Sequence, residues 1–170
     1  MEKYAFLMIK YKTPCFIKDI WKNLSEDDLY RDDTDSRFNY GLEKDTHVTV
    51  VPCMNNDINI NVIKSMLKPL DEYKIYLTNI SKFDNDKYDV LKCDVASIPL
   101  FNTNSDILNK FETHSDYKEY HPHVTIAYTK KGVADKFTKD TLDKLIMLEP
   151  ECFWFSYYDK DDNEKEITWK

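Results

Sequence analysis

Two short runs in this 170-residue chain carry residue types suited to acid–base chemistry: His47-Val48-Thr49-Val50 and His123-Val124-Thr125-Ile126. The chain has four histidines, and these two each stand two residues before a threonine, across a valine. In an extended strand, residues i and i+2 project from the same face. Each run would therefore set an imidazole beside a hydroxyl, while Val48, Val50, Val124 and Ile126 turn the other way to pack. An unperturbed imidazole titrates near pH ~6.5, so two of them can supply a base and an acid together at neutral pH. One would take a proton from a hydroxyl or a water, and the other would protonate the departing oxygen. The threonine hydroxyls can donate to non-bridging phosphate oxygens, where charge builds during reaction. This division of labour suits phosphodiester cleavage and calls for no metal or other cofactor.

The other two histidines carry less. His121 lies two residues before His123 but is separated from it by Pro122, which favours a place at the rim. His114 falls in a polar stretch and reads as a solvated helix end. His, Asp and Glu do not otherwise cluster at metal-ligand spacing. The four cysteines (Cys15, Cys53, Cys93, Cys152) include no C-x-x-C pair. With no secretory pattern in the opening MEKYAFLMIK, they are expected to be free thiols in a cytoplasmic protein.

The elements that must position the two runs follow from apolar periodicity. Strands are expected at 4–11, 46–51 (stopped by Pro52), 74–83, 88–95, 123–129, 151–158 and 165–169. The last two would form a hairpin. Helices are expected at 14–24, 57–70, 105–114 and 138–148, and 25–44 reads as a loop. In order these give β-α-β-α-β-β-α-β-α-β-β, two similar halves with one motif strand in each. The fold class expected is α+β or an α/β sandwich in a single domain spanning 1–170, with sheets inside and helices outside. Were the halves related by a pseudo-twofold axis, the two His/Thr pairs would converge on one cleft.

Composition narrows the partners. Lys and Arg number 24 against 31 Asp and Glu, a net charge of −7. Long nucleic acid is an unsuitable partner for such a chain, because binding it requires a clustered basic surface. Only Gly41 and Gly132 are glycines, which excludes Gly-rich nucleotide-binding loops. No apolar run approaches the ~20 residues of a membrane span, so no membrane partner is expected. Oligomeric state is not legible.

The paired H-x-T-x motifs, the element order over roughly 4–169 and Pro122 just before the second histidine resemble the 2H phosphoesterase superfamily. That group includes LigT-like RNA 2′,3′-cyclic phosphodiesterases, viral 2′-5′-oligoadenylate phosphodiesterases and phage enzymes that degrade cyclic-oligonucleotide immune signals. The resemblance implies a two-lobed fold, with pseudo-twofold antiparallel sheets around a central cleft and helices outside. It also implies His47, Thr49, His123 and Thr125 as the catalytic four, without metal.

Base recognition would need aromatic platforms and a polar edge contact. Tyr11, Tyr128, Trp154 and Tyr157 are the candidate platforms and Glu151 the candidate edge contact, while Lys10, Lys12 and Lys130 could hold further phosphates. The acidic balance favours a small nucleotide or cyclic oligonucleotide substrate held within one cleft. A composition heavy in Lys, Asn, Asp, Ile and Tyr fits an AT-rich genome, that of a bacteriophage or a low-GC bacterium, and raises a phage signal-degrading enzyme acting in host cytoplasm as the leading expectation. RNA end processing, 2′-5′ oligoadenylate cleavage and non-catalytic nucleotide sequestration remain the alternatives.

Overall fold

A computed structural model describes residues 3–35, 39–115 and 119–170. The protein is α+β, with two antiparallel sheets and three α-helices among the described residues, the second of which, α2, spans Ile60–Met66. Its organising unit is strand–helix–strand, used twice. In the first half β1 (Ala5–Tyr11) leads through α1 (Cys15–Asn23) to β2 (His47–Met54), which pairs antiparallel with β1. In the second half β5 (Tyr88–Ala96) leads through α3 (Ile98–Leu108) to β6 (His123–Lys130), which pairs antiparallel with β5.

The first sheet has the order β2-β1-β8-β9, completed by the hairpin of β8 (Pro150–Tyr158) and β9 (Glu164–Trp169). In the second sheet β6 lies on one edge of β5. On the other edge lie β4 (Ser81–Asp84) and β3 (Ile75–Leu77), with β7 (Ile146–Leu148) beyond β3. Both motif strands are thus edge strands, and β2 and β6 run close to each other where the two sheets meet.

The helices cross over. α1 packs against β6 and α3 against β2, so each half covers the motif strand of the other. One apolar core runs through both sheets and includes Val48, Val50, Val124 and Ile126, all fully buried. None of these four could alternate toward solvent without exposing β-branched or apolar surface, and this fixes which way the histidines point.

Four expectations from the sequence are corrected. The strand starting at 46 does not stop at Pro52 but continues to Met54; β2 is an edge strand, where a missing N–H costs no ladder bond. The expected strand at 74–83 is two, because the Asn79 side chain bonds the backbone N–H of Asp94 (3.1 Å) and its carboxylate (2.7 Å) in place of ladder pairing. The helix expected at 105–114 lies earlier: Ser97 stands at its N-cap position and Pro99 in its first turn. Its buried stripe includes Thr103 and Asn104 beside Leu100 and Ile107, so polar side chains hid the helical period.

No helix spans 138–148. A 3-10 turn at Ala134–Lys136 is followed by β7, which pairs with β3, and Leu145 is largely exposed. Sheet pairing of Ile146 and Leu148 outweighed a short helical period. Within 25–44, residues Leu29 and Leu42 form bridges to Thr129 and Ala127, covering the outer edge of β6. None of the four cysteines is in a disulfide, and no helix among the described residues is long and apolar enough to cross a membrane.

Candidate active site

The two motif strands share a local deformation. Met8 faces Thr49 and Leu7 faces Val51, leaving Val50 as an extra residue in β2. Lys92 faces Thr125 and Leu91 faces Ala127, leaving Ile126 as the extra residue in β6. Each H-x-T-x run therefore ends in a β-bulge at its fourth position, a device that bends a strand and re-aims its side chains. The extra residue's carbonyl is taken up by a side chain from the opposite half in both cases. Asn104 Nδ2 of α3 donates to Val50 O at 2.8 Å, and Trp21 Nε1 of α1 donates to Ile126 O at 2.9 Å. The pair of contacts locks the two halves together at the point where the motifs end.

At the start of each motif the histidines are held alike. His47 Nδ1 lies 2.6 Å from Asp45 O, and His123 Nδ1 lies 2.7 Å from His121 O. A carbonyl only accepts, so each Nδ1 carries a proton and donates. That fixes the tautomer and leaves both Nε2 atoms for chemistry. His47, Thr49, His123 and Thr125 are all half-buried between fully buried neighbours, as the strand alternation requires.

Each ring also stands edge-on to an aromatic that carries an ammonium. His47 meets Trp154 at 5.5 Å and 82°, and Lys10 Nζ sits 3.9 Å from that indole. His123 meets Phe83 at 4.9 Å and 90°, and Lys92 Nζ sits 4.4 Å from that ring. Lys10 pairs with Asp45 at 3.2 Å; Lys92, only 4% exposed, donates to Asp94 and to Ser81 Oγ at 2.7 Å. Cation–π contact and ion pairing together hold each ammonium near its histidine. The Trp154 indole N–H is buried with no acceptor among the described residues, an open donor beside His47.

The surroundings of the two imidazoles differ. Burial pushes the His123 pKa down, and the positive charge of Lys92 adds to this, against the pull of His121 O and Asp94. His47 instead has Asp45 and Glu43 at hand. Glu43 spans the halves: its N–H donates to Ile126 O at 3.0 Å, while its carboxylate accepts from Asp45 N at 3.1 Å and interacts with the His47 ring. Burial raises the Glu43 pKa, opposed by His47.

No protein-family model matches the chain, and no curated protein matches it.

The residues named for substrate contact separate. Trp154 lies on the face of the sheet shared by Thr49 and Met8, beside His47. Glu151 is exposed and lines a cavity of ≈ 260 Å³ next to that histidine. Tyr11 does not offer a stacking face: its side chain is 2% exposed and its hydroxyl donates to Tyr73 O at 2.8 Å. Tyr157 points to the opposite face of β8 from Trp154 and stacks on buried Phe155. Tyr128 belongs to a cluster with Tyr30, Tyr40 and Tyr88, five residues along β6 from His123. His121 is exposed and faces Glu119, and His114 stacks on Tyr4.

Sequence reading missed Glu43, Lys92, Asp94 and Phe83, each brought to a motif residue by cross-strand or loop contact. No short-range signal marks them. Among the described residues no three His, Cys, Asp or Glu side chains gather as a metal site. A cavity of ≈ 500 Å³ between α1 and residues 136–146 contains none of the motif residues.

Proposed function

We propose that the protein is a phosphodiesterase of the 2H phosphoesterase type, acting without metal on a small nucleotide such as a cyclic oligonucleotide signal. The observation that carries this reading is the matched fixing of both Nδ1 atoms, which turns two Nε2 atoms on adjoining edge strands to the same task. In a 3′-5′ linked substrate, His123 Nε2 takes the proton of the ribose 2′-OH. The 2′ oxygen attacks phosphorus, the bond from phosphorus to the 5′ oxygen breaks, and His47 Nε2–H protonates that oxygen. The products are a 2′,3′-cyclic phosphate and a free 5′-OH. Thr49 and Thr125 donate to the non-bridging oxygens as negative charge builds.

The unequal surroundings support this order of roles. His123, buried beside Lys92, favours the neutral form a base needs, which leaves His47, the ring beside Asp45 and Glu43, as the proton donor of the pair. A phage protein that removes a cyclic-oligonucleotide signal from host cytoplasm fits this chemistry and the acidic composition. The experiment is a substrate panel of cyclic dinucleotides, cyclic trinucleotides, 2′-5′ oligoadenylate and RNA with cyclic phosphate ends, with products resolved by mass. Linear products are expected from a cyclic oligonucleotide. Intact ligand recovered after denaturation would instead mean sequestration, and no binding or turnover across the panel would remove the proposal.

A further inference from the structure

Beside His47 the charge of the protein reverses sign locally. The ≈ 260 Å³ cavity is lined by Lys10, Lys12, Lys18 and Lys44, against Asp45 and Glu151. Four ammonium groups thus face two carboxylates in a chain whose net charge is −7. Lys10 is engaged with Asp45 and the Trp154 ring. Lys12, Lys18 and Lys44 are exposed, and none has an acidic partner within 4 Å among the described residues. Three elements converge to place them: the end of β1, the second turn of α1 and the approach to β2. The hydroxyls of Thr13 and Thr46, bonded to each other at 2.7 Å, also line the space.

Like charges gathered in one recess repel one another, and an anion relieves that repulsion. The volume is below the ~300–1,000 Å³ of a site for a whole small molecule, which suits a phosphate group and part of a sugar. Lysines serve as point charges for phosphate without requiring the paired geometry of arginine. The cavity is also tied to the histidine, because Asp45 holds the His47 ring through its carbonyl and Lys10 through its carboxylate.

From this we infer that the lysine recess is a second phosphate subsite, so that the substrate carries at least two phosphates, one at the histidines and one beside Lys12, Lys18 and Lys44. The assignment of that anion to the substrate rests on the phosphodiesterase reading; the existence of the subsite does not. The recess distinguishes a cyclic or linear oligonucleotide from a cyclic mononucleotide, which has only the phosphate to be cut.

Two measurements on the full chain test this. In the first, inorganic pyrophosphate is titrated into the wild type, the triple variant Lys12→Gln/Lys18→Gln/Lys44→Gln and a control, Lys160→Gln/Lys165→Gln, followed by NMR shifts. Saturable shifts at the three lysines are expected, with affinity about tenfold weaker in the triple variant and unchanged in the control. Absence of saturation, or equal loss in the control, overturns the subsite. In the second, KM is compared for a cyclic dinucleotide and a 3′,5′-cyclic mononucleotide. The triple variant should raise KM about tenfold for the former only, with kcat unchanged, and pyrophosphate should compete with the former only. Equal effects on both substrates would assign the recess to a separate anion and contradict the inference. Should the wild type cut neither, the phosphodiesterase reading falls while the pyrophosphate titration still decides the subsite.

Discussion

At the scale of single residues, the account depends on how two imidazoles and two hydroxyls are held. Replacing Thr49 or Thr125 by Val removes one donor to the developing charge and keeps the β-branched shape. Each change is expected to lower kcat by about 10²–10³-fold, roughly 2.7–4 kcal/mol, with KM little altered; steady-state kinetics on the substrate identified by the panel is the check. The pH dependence has a definite sign. The proposed base, His123, would act in its neutral form and its pKa is pushed down, so the acidic limb of kcat/KM should lie below pH ~6.5. Replacing Lys92 by Met removes a positive charge that favours neutral His123 and leaves Asp94 nearby, so the limb should move to higher pH. An NMR titration of the His123 ring alongside the rate profile measures both, and a limb that stays put would separate Lys92 from His123. The shared placement of His47 with Thr49 and of His123 with Thr125 was legible because a strand repeats every second residue and the motif occurs twice. Lys92, Asp94 and Glu43 were not, since they reach the histidines across strands whose register no local pattern specifies.

At the scale of elements, the bulges and the crossed helices set the motif geometry. Asn104 is 6% exposed and supplies Val50 O with a donor, so Asn104→Leu leaves that carbonyl unmatched at similar volume. A loss of about 1–3 kcal/mol is expected, read as a lowered denaturant midpoint with an unchanged m-value. A midpoint equal to that of the wild type would mean that the contact does not hold the halves together. Trp21→Phe tests the matching bond to Ile126 O and should also destabilise, by less, because Glu43 N–H donates to the same carbonyl. The elements with strong apolar periods, β1, α1, β6 and the β8–β9 hairpin, were readable from sequence. α3 was misplaced because Thr103 and Asn104 occupy its buried face, Thr103 bonded to Tyr73 and Asn104 to Val50. The segment 138–148 was misread because Leu142 with Ile146 and Leu145 with Leu148 fit a helical spacing while Ile146 with Leu148 fits a strand, and pairing with β3 decides between them.

At the scale of the whole molecule, two repeated units form one core, and under the proposed function charge would restrict what reaches their edge strands. On the proposed reading, the net charge of −7 and the acidic residues of 25–35 and 159–166 should repel a long polyanion, while the lysine recess should attract a short one. Cleavage of a cyclic dinucleotide should therefore exceed cleavage of polyuridylate in kcat/KM, with the gap widening at low salt, where repulsion is least screened. A gap that narrows at low salt would point to an unrecognised basic track. The general α+β architecture was accessible from element order, whereas the exchange of helices between halves was not, because it depends on contacts far apart in sequence. The central claim is that His47 and His123 act as an acid–base pair on one phosphodiester. Its most direct test is product analysis for a 3′,3′-cyclic dinucleotide and its 2′-deoxy counterpart, incubated with the wild type, His47→Ala and His123→Ala. The account predicts ring opening by the wild type to a 2′,3′-cyclic phosphate end, loss of about 10²–10⁴-fold in each variant and no cleavage of the deoxy ring. Full turnover in both variants, or equal cleavage of the deoxy ring, would contradict it.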